Sequence, residues 1–364
     1  MPQTRSFDDH PLLAIWETTQ ACDLACKHCR ACAKPERHPE ELDTREGKQL
    51  LDALARGRVP LVVLTGGDPA KREDLVELVA HGHALGLHMG LTPSATPLMT
   101  DALLARLAEA GLGRLAISID APDAPEHDAF RGVNGSFQQS LRILSEAKRL
   151  GITTQVNTSV HAQSIDALSS MLPLIREVGC LLWSVFFVVP TGRAGLSMLP
   201  TAERVERCLE WLVEVAESES VGVKTTAAPH YRRVLLARKA ARRHAVRGLE
   251  TLRINEGRGF MFISHRGDYY PSGFLPVPCG NVRIQDPVTA YRTHPTFRAL
   301  RDPAALTGKC GACEYKHVCG GSRARAYATT GSLLASDPLC SYVPPAFASS
   351  DVTVGRHHLR VTHG

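Results

Sequence analysis

With 364 residues, 44% of them hydrophobic and 22% charged, the chain can bury one large core or two of ordinary size, which excludes a disordered or fibrous protein. Its formal charge of +5 is mild for that length. It suits an anionic small-molecule substrate or plain solubility and does not by itself indicate nucleic acid. No apolar run approaches the length of a membrane span. The polar start from Met1 to His10, with Asp8 and Asp9, is not a signal peptide, so a cytoplasmic location is expected. Eleven cysteines in a reducing compartment favour metal or redox chemistry over disulfides. Four fall between Cys22 and Cys32, and four more are Cys310, Cys313, Cys319 and Cys340. Cys180 and Cys208 stand in apolar or helical contexts and are expected to be inert core thiols.

After a tail of residues 1–11, strand-like and helix-like runs alternate from residue 12 to about 220. Strands are expected at 12–18, 60–65, 87–91, 114–119, 153–160 and 181–189, most of them short apolar runs between turn signals. Helices are expected at 44–56, 74–85, 99–110, 137–150, 165–178 and 202–217. Gly111 and Gly151 close two of them, and Pro173 bends a third. Six strand–helix units argue for a parallel sheet with helical crossovers, too few for a closed eight-fold barrel. In such sheets ligands sit at the C-terminal ends of the strands.

The loop after the first strand carries Cys22-Asp-Leu-Ala-Cys26-Lys-His-Cys29, spaced C-x3-C-x2-C. Thiolates are the usual ligands of iron–sulfur clusters. Three cysteines leave one iron of a four-iron cubane without a protein ligand, and an open metal position is where a small molecule can bind and react. A structural zinc site would need a fourth ligand, which Cys32 or His28 could supply. Strand two ends in Thr65-Gly66-Gly67-Asp68-Pro69, where two glycines let backbone approach a ligand. The cysteine spacing, its place after the first strand, and this glycine loop resemble the signature of radical S-adenosylmethionine (SAM) enzymes. The resemblance implies a partial (β/α)6 barrel and a SAM-binding [4Fe-4S] cluster on Cys22, Cys26 and Cys29. It further implies cleavage of SAM to a 5'-deoxyadenosyl radical that removes a substrate hydrogen. Residues matching the family's SAM contacts are His28, Gly66, Gly67, Asp68 (in place of glutamate), Ser118, Asp120, Asn157 and Arg193. For Asn157, Thr158 and Arg193, ordinary strand-end hydrogen bonding is an equal alternative.

Residues 221–258 are expected to form a bridge containing a long basic helix with Arg232, Arg233, Arg238, Lys239, Arg242, Arg243, His244 and Arg247. Such a charge run is ordinarily a solvated face. The sharper expectation is that its first turn, His230, Tyr231, Arg232 and Arg233, reaches the cavity and pairs with substrate carboxylates, which arginine grips with two parallel hydrogen bonds. From residue 259 the character changes. A hairpin at 260–264 and 268–270 precedes a segment rich in proline, glycine and cysteine, then a short helix at 295–301 and the pattern Cys310-x2-Cys313-x5-Cys319, with Cys340 later. This resembles the SPASM or twitch-type extension of radical SAM enzymes, a small cysteine-rich α+β domain over 259–345, followed by a tail at 346–364. The resemblance makes Cys310, Cys313, Cys319 and Cys340 ligands of one auxiliary [4Fe-4S] cluster. Two-cluster members carry a further cysteine where this chain has Arg323. Cys279 is then a remnant, a cluster neighbour or a substrate contact, and Cys32 a bystander.

The stretches Cys29-Arg30-Ala31, Pro229-His-Tyr-Arg-Arg233 and Cys319-Gly-Gly-Ser-Arg-Ala-Arg-Ala-Tyr327 further resemble the branch acting in alternative haem and haem d1 biosynthesis. That implies oxidative decarboxylation of iron-porphyrinoid propionates, with an external electron donor such as flavodoxin or ferredoxin. One rival is maturation of a ribosomally made peptide, including mycofactocin-type decarboxylation. Against it stands the short run before the first strand, which leaves no room for a fused peptide-recognition domain. The rival from another class, a non-catalytic zinc or iron–sulfur scaffold, does not explain six strand–helix units with a glycine loop after strand two.

Overall fold

The computed structural model describes residues 7–241 and 253–348. Its centre is a nine-stranded sheet. In chain order the strands are β1 (Leu13–Glu17), β2 (Leu61–Thr65), β3 (His88–Leu91), β4 (Arg114–Ser118), β5 (Thr153–Val160), β6 (Leu182–Phe187), β7 (Gly222–Thr226), β8 (Phe260–Ile263) and β9 (Tyr269–Tyr270). Their spatial order is β7-β6-β5-β4-β3-β2-β1-β8-β9. All neighbours run parallel except β8 and β9. The crossover helices are α1 (Thr44–Arg56), α2 (Leu75–Ala84), α3 (Asp101–Glu109), α4 (Ala124–Arg131), α5 (Ser136–Arg149), α6 (Leu172–Val178) and α7 (Ala202–Ser218). The curled, mostly parallel sheet is the partial barrel expected from the six strand–helix units.

Local chemistry explains where the helices begin and end. Asp43 accepts from the Glu46 backbone, and Glu46 reaches back to Asp43, a capping box that starts α1 and leaves Leu50, Leu51 and Leu54 facing the core. Thr100 and Thr201 cap α3 and α7 through their hydroxyls. The helix expected over 165–178 is a 3-10 segment at Ile165–Met171 followed by α6, with Pro173 in the first turn of α6, the position where its missing N–H costs nothing.

The sheet extends beyond the six expected strands at both edges. β7 pairs with β6 inside the segment expected to be only a bridge. β8, expected in a separate hairpin domain, pairs parallel with β1, Leu13 beside Phe260 through Trp16 beside Ile263. Helix α8 (His230–Ala241) follows β7; Arg242, Arg243, His244 and Arg247 lie outside the described residues. Four further helices, α9 (Pro287–Thr293), α10 (Pro295–Arg301), α11 (Gly308–Ala312) and α12 (Arg323–Thr330), complete the C-terminal part. The N-terminal segment is not a free tail from Phe7 onward: Phe7 is buried, and its carbonyl accepts from the Tyr291 hydroxyl.

Side chains alternate across the strands. Leu115, Ile117, Val156, Trp183 and Val185 belong to the core shared with the helices. The opposite, concave face carries Ser118, Asn157, Ser184 and Lys224 side by side. Among the described residues no helix is long and apolar enough to cross a membrane. Ile263 is fully buried where β8 closes onto β1. We expect Ile263→Ala to lower unfolding free energy by about 2–5 kcal/mol, read by urea titration of the anaerobic protein; a loss under about 1 kcal/mol would show that β8 is not integral to the barrel.

Candidate functional site: a cysteine loop, a cation-lined cleft and a second cysteine cavity

The loop leaving β1 is fastened before it reaches its cysteines. Gly67 N donates to Thr19 O at 2.7 Å and Asp68 N to Ala21 O at 2.6 Å. A Cβ at Gly67 would lie 2.3 Å from Ala21 O, and one at Gly66 2.7 Å from Thr19 O. The two glycines therefore serve first to let the cysteine loop dock on the end of β2. Glu41 holds the loop from behind, accepting from Thr19 Oγ1 at 2.9 Å, Gln20 N at 2.8 Å and Arg37 Nε at 2.7 Å. On the far side Gly192, at φ +66°, would place a Cβ 2.4 Å from Cys29 O, and Arg193 N donates to that carbonyl at 3.0 Å.

Cys22 and Cys26 are buried, Cys29 is half-buried, and none is in a disulfide. Cys22 Sγ lies 3.3 Å from Ser94 Oγ, and Arg131 Nη1 donates to Cys26 Sγ at 3.7 Å. Burial alone would raise the Cys29 thiol. The Ala33 amide and the Arg193 guanidinium outweigh it and hold that thiol below its usual range. Three thiols with cations beside Cys26 and Cys29 make a donor set that suits an iron–sulfur cluster. Among the described residues no three His, Cys, Asp or Glu side chains converge as a single bound metal ion requires.

Beside the loop an open cavity of ≈ 520 Å³ is lined by Thr65, Gly66, Gly67, Ser94, Ser118, His127 and Arg131 among others. Asp68 turns away from it. Its carboxylate is fully buried and accepts from Thr96 Oγ1 at 2.6 Å, Ala70 N at 3.1 Å and Ser94 N at 3.3 Å, and burial raises its pKa. Asp120 is committed to Arg131, whose Nη2 and Nε lie 2.5 and 2.6 Å from Oδ2, and accepts from Ser159 N at 2.8 Å. His28 stacks on Phe130 at 4.4 Å, and Phe130 on His161 at 4.8 Å. Its Nε2 meets Ser159 Oγ at 3.1 Å, and burial lowers its pKa to about 4. Asn157 accepts from Gln155 Nε2 at 2.7 Å on the concave face. Ser118, Gly66 and Gly67 are thus brought to one cavity, whereas Asp68, Asp120 and Asn157 are engaged within the protein.

A second cavity, ≈ 400 Å³, is lined by all four C-terminal cysteines, Cys310, Cys313, Cys319 and Cys340, with His230, Arg233, Lys309, Lys316 and Asp337. The residues of the expected carboxylate grip lie here. His230 and Arg233 face this cavity, Tyr231 is buried in the core, and Arg232 donates to Val318 O and Ile254 O at 2.7 Å each. Arg233 pairs with Glu206 and lies over the Tyr342 ring at 4.9 Å. The first turn of α8 thus serves the second cysteine set. Arg323, at the position where two-cluster relatives carry a cysteine, is buried and donates to Cys310 Sγ at 3.6 Å and to Ala335 O at 2.7 Å. Asp337 is held by Arg325 at 2.8–2.9 Å, and Arg325 also donates to Ala227 O beyond β7 at 2.7 Å. Burial would raise the Asp337 carboxyl, but Arg325 and His230 keep it well below the usual range. Cys279 is fully buried in the core, and Cys180 and Cys208 are buried in the same hydrophobic cluster. Cys32 is exposed.

Residues 16–166 match the model of the radical SAM superfamily. A relative from Oleidesulfovibrio alaskensis, named AdoMet-dependent heme synthase, is 40% identical over 96% of this chain and 92% of its own. This chain belongs to the radical SAM superfamily. A pre-heme d1 synthase from Dinoroseobacter shibae is 30% identical over 96% of this chain and 90% of its own. The crystal structure of Streptococcus suis SuiB bound to S-adenosylmethionine covers 92% of this chain and 78% of its own at TM-score 0.73 and 16% identity, a likeness of fold. As a radical SAM enzyme the protein binds a [4Fe-4S] cluster and SAM, and cleaves SAM reductively to a radical that takes hydrogen from substrate.

Three site residues of this radical SAM enzyme escaped the sequence reading: Ser94, His127 and Arg131. The last two sit on α4, a helix of eight residues. Its signal was present in Asp123, which caps it, in Pro125 in its first turn, and in left-handed Gly132 at its end. The Asp120–Arg131 pair gives the enzyme a titrating brace. Burial would raise Asp120, yet Arg131 depresses it below the usual carboxylate range. A depressed carboxylate stabilises the fold above its unfolded pKa of about 3.9. That stabilisation is lost as pH falls through the folded value. We expect wild type to exceed Asp120→Asn in stability by a constant margin from pH 7 to 5, and the margin to shrink below about pH 4. A margin independent of pH down to 3 would count against the pair.

Proposed function

We propose that this radical SAM enzyme oxidatively decarboxylates propionate side chains of an iron porphyrinoid, as in haem biosynthesis. The observation that supports this is the 40% identity, over nearly the full length of both chains, to an AdoMet-dependent heme synthase. In this reading Cys22, Cys26 and Cys29 hold the SAM-binding cluster. Gly66, Gly67 and Ser118 contact SAM, while Asp68 and Asp120 shape its cavity from behind through Ser94 and Arg131. When bound, the cluster, reduced by an external donor such as flavodoxin or ferredoxin, would cleave SAM and so supply a 5'-deoxyadenosyl radical.

The balance of the substrate step requires an acceptor. Removing one hydrogen atom from the propionate carbon next to the ring leaves a carbon-centred radical. Breaking the carbon–carboxylate bond then forms the vinyl double bond and carbon dioxide, and one electron remains. Cys310, Cys313, Cys319 and Cys340 would hold one auxiliary [4Fe-4S] cluster able to accept it. The donor set fits: four thiols line one cavity, all free, ringed by Arg233, Lys309, Lys316 and Arg323. Cations of that kind offset the negative charge of a tetrathiolate cluster and favour its reduced state.

The test is anaerobic turnover of the reduced, iron-loaded enzyme with SAM and iron-coproporphyrin III, followed by mass spectrometry. Losses of formic-acid mass from the porphyrin, matched by 5'-deoxyadenosine, are expected. Deoxyadenosine with an unchanged porphyrin would sink the substrate assignment and make a peptide the next substrate to try. Cys26→Ala should reduce 5'-deoxyadenosine to background; production at the wild-type rate would remove Cys26 from the cluster. Iron analysis should give about eight irons per chain, four for each cluster. About twelve would mean that further ligands hold a third cluster.

A further inference from the structure

The first turn of α8 faces the second cysteine cavity and partners within the protein, and the concave face of the barrel offers the substrate's carboxylates another seat. Arg30 is held by Glu17, Arg131 by Asp120 and Arg233 by Glu206. The described strands present only two Lys or Arg side chains, Arg114 on β4 and Lys224 on β7. Neither has an ion-pair or hydrogen-bond partner among the described residues. Strand register puts both on the concave side. Arg114 shares the alternation of Ser118, which lines the SAM cavity, and Lys224 lies in one row with Ser184, Asn157 and Ser118.

Two further observations mark this face as built to receive something. Ser184 is fully buried beside Lys224, and its Oγ has no hydrogen-bond partner; neither has Thr226 Oγ1, two residues along β7. Buried polar atoms without partners are uncommon and call for an explanation. The row that ends at Arg114 runs Phe262, Ile15, Val63, Gly90. Phe262 is itself covered by the Arg30 guanidinium at 4.3 Å, so Ile15, Val63 and a glycine without a side chain form the apolar floor leading to the Arg114 guanidinium. That arrangement suits an apolar ring bearing a carboxylate arm. Lys224 is solvent-accessible yet ringed by protein, as a residue in a concavity is. Desolvation and then Arg114 hold its ammonium below the usual range, a repulsion that a bound anion would relieve.

We propose that Arg114 and Lys224 seat a carboxylate of the substrate inside the barrel, with Ile15 and Val63 under its apolar body. This deepens the porphyrinoid reading and rests on it. Both side chains are binding residues; the geometry assigns them no part in the bond-breaking step.

The test is a titration of the iron-loaded enzyme with iron-coproporphyrin III and with its tetramethyl ester, read by visible absorbance. Arg114→Met and Lys224→Met should each weaken binding of the free acid about tenfold or more, the loss expected for a charge-assisted hydrogen bond. The ester, whose carboxylates are masked, should bind wild type more weakly, with no further loss in either variant. That separates a lost contact from a lost fold. Lys224→Arg should recover most of the affinity. Wild-type affinity for the free acid in both methionine variants would overturn the assignment. If wild type binds no porphyrin at all, the porphyrinoid substrate falls, and the carboxylate seat is read with benzene-1,3,5-tricarboxylate. Protection of Lys224 from reductive methylation by that anion would support the seat, and equal labelling with and without it would overturn it.

Discussion

Two backbone hydrogen bonds, Gly67 N to Thr19 O and Asp68 N to Ala21 O, fasten the cysteine loop to the end of β2, and the rest of the site depends on them. They require a backbone without side chains at Gly66 and Gly67, because any Cβ there would fall on the loop's carbonyls. The same constraint recurs at Gly192, whose left-handed backbone lets the segment after β6 approach Cys29 O. A long loop is thereby clamped from both sides. Three thiols reach one region without a disulfide or a helix to hold them.

Charge is distributed to match. Most buried carboxylates near the cysteines have a cation at hand: Asp120 has Arg131, Glu17 has Arg30 and Asp337 has Arg325, while Asp68 is held by neutral donors. Burying an unpaired charge is costly, whereas a paired and hydrogen-bonded one is tolerated. These pairs also join separate parts of the chain. Glu17 at the end of β1 meets Arg30 of the cysteine loop and His265 after β8, and Arg325 of α12 reaches Ala227 O past β7. The C-terminal cysteine region is therefore tied to the barrel by buried charge as well as by the β1–β8 pairing. Arg114 and Lys224 stand out against this pattern as cations in the concavity left without anions.

The sequence made β1 to β6 legible because most are short apolar runs between turn residues, and β5, though polar in six of its eight residues, is rich in β-branched threonine and valine. β7 was not legible: Gly222-Val-Lys-Thr-Thr226 is an edge strand with one apolar residue, and it turns polar residues to the concave side. β8 was visible as a strand, but its partner was not, since pairing with β1 joins residues about 250 positions apart. The helix α4 was too short for its periodicity to register. The misreading of His230 to Arg233 has the same origin. A basic run looks available to a substrate until Glu206, the Val318 and Ile254 carbonyls and a cysteine cavity are brought to it by folding.

Cysteine spacing, its place after the first strand and the glycine loop after β2 together pointed to the chemistry, because thiols separated by two or three residues must come from one loop and can be counted without knowing the fold. Strand–helix alternation likewise determined the architecture, since parallel neighbours need crossovers. Only the tertiary structure decided which face each residue turns to the interior and which charges find partners. Those outcomes depend on register between distant strands and on electrostatic pairing across the sheet. Neither leaves a local trace, so only folding placed the Asp68 carboxylate against Thr96 and Ser94, turned His230 and Arg233 of α8 to the second set of cysteines, and set Arg114 and Lys224 on the concave face of the barrel.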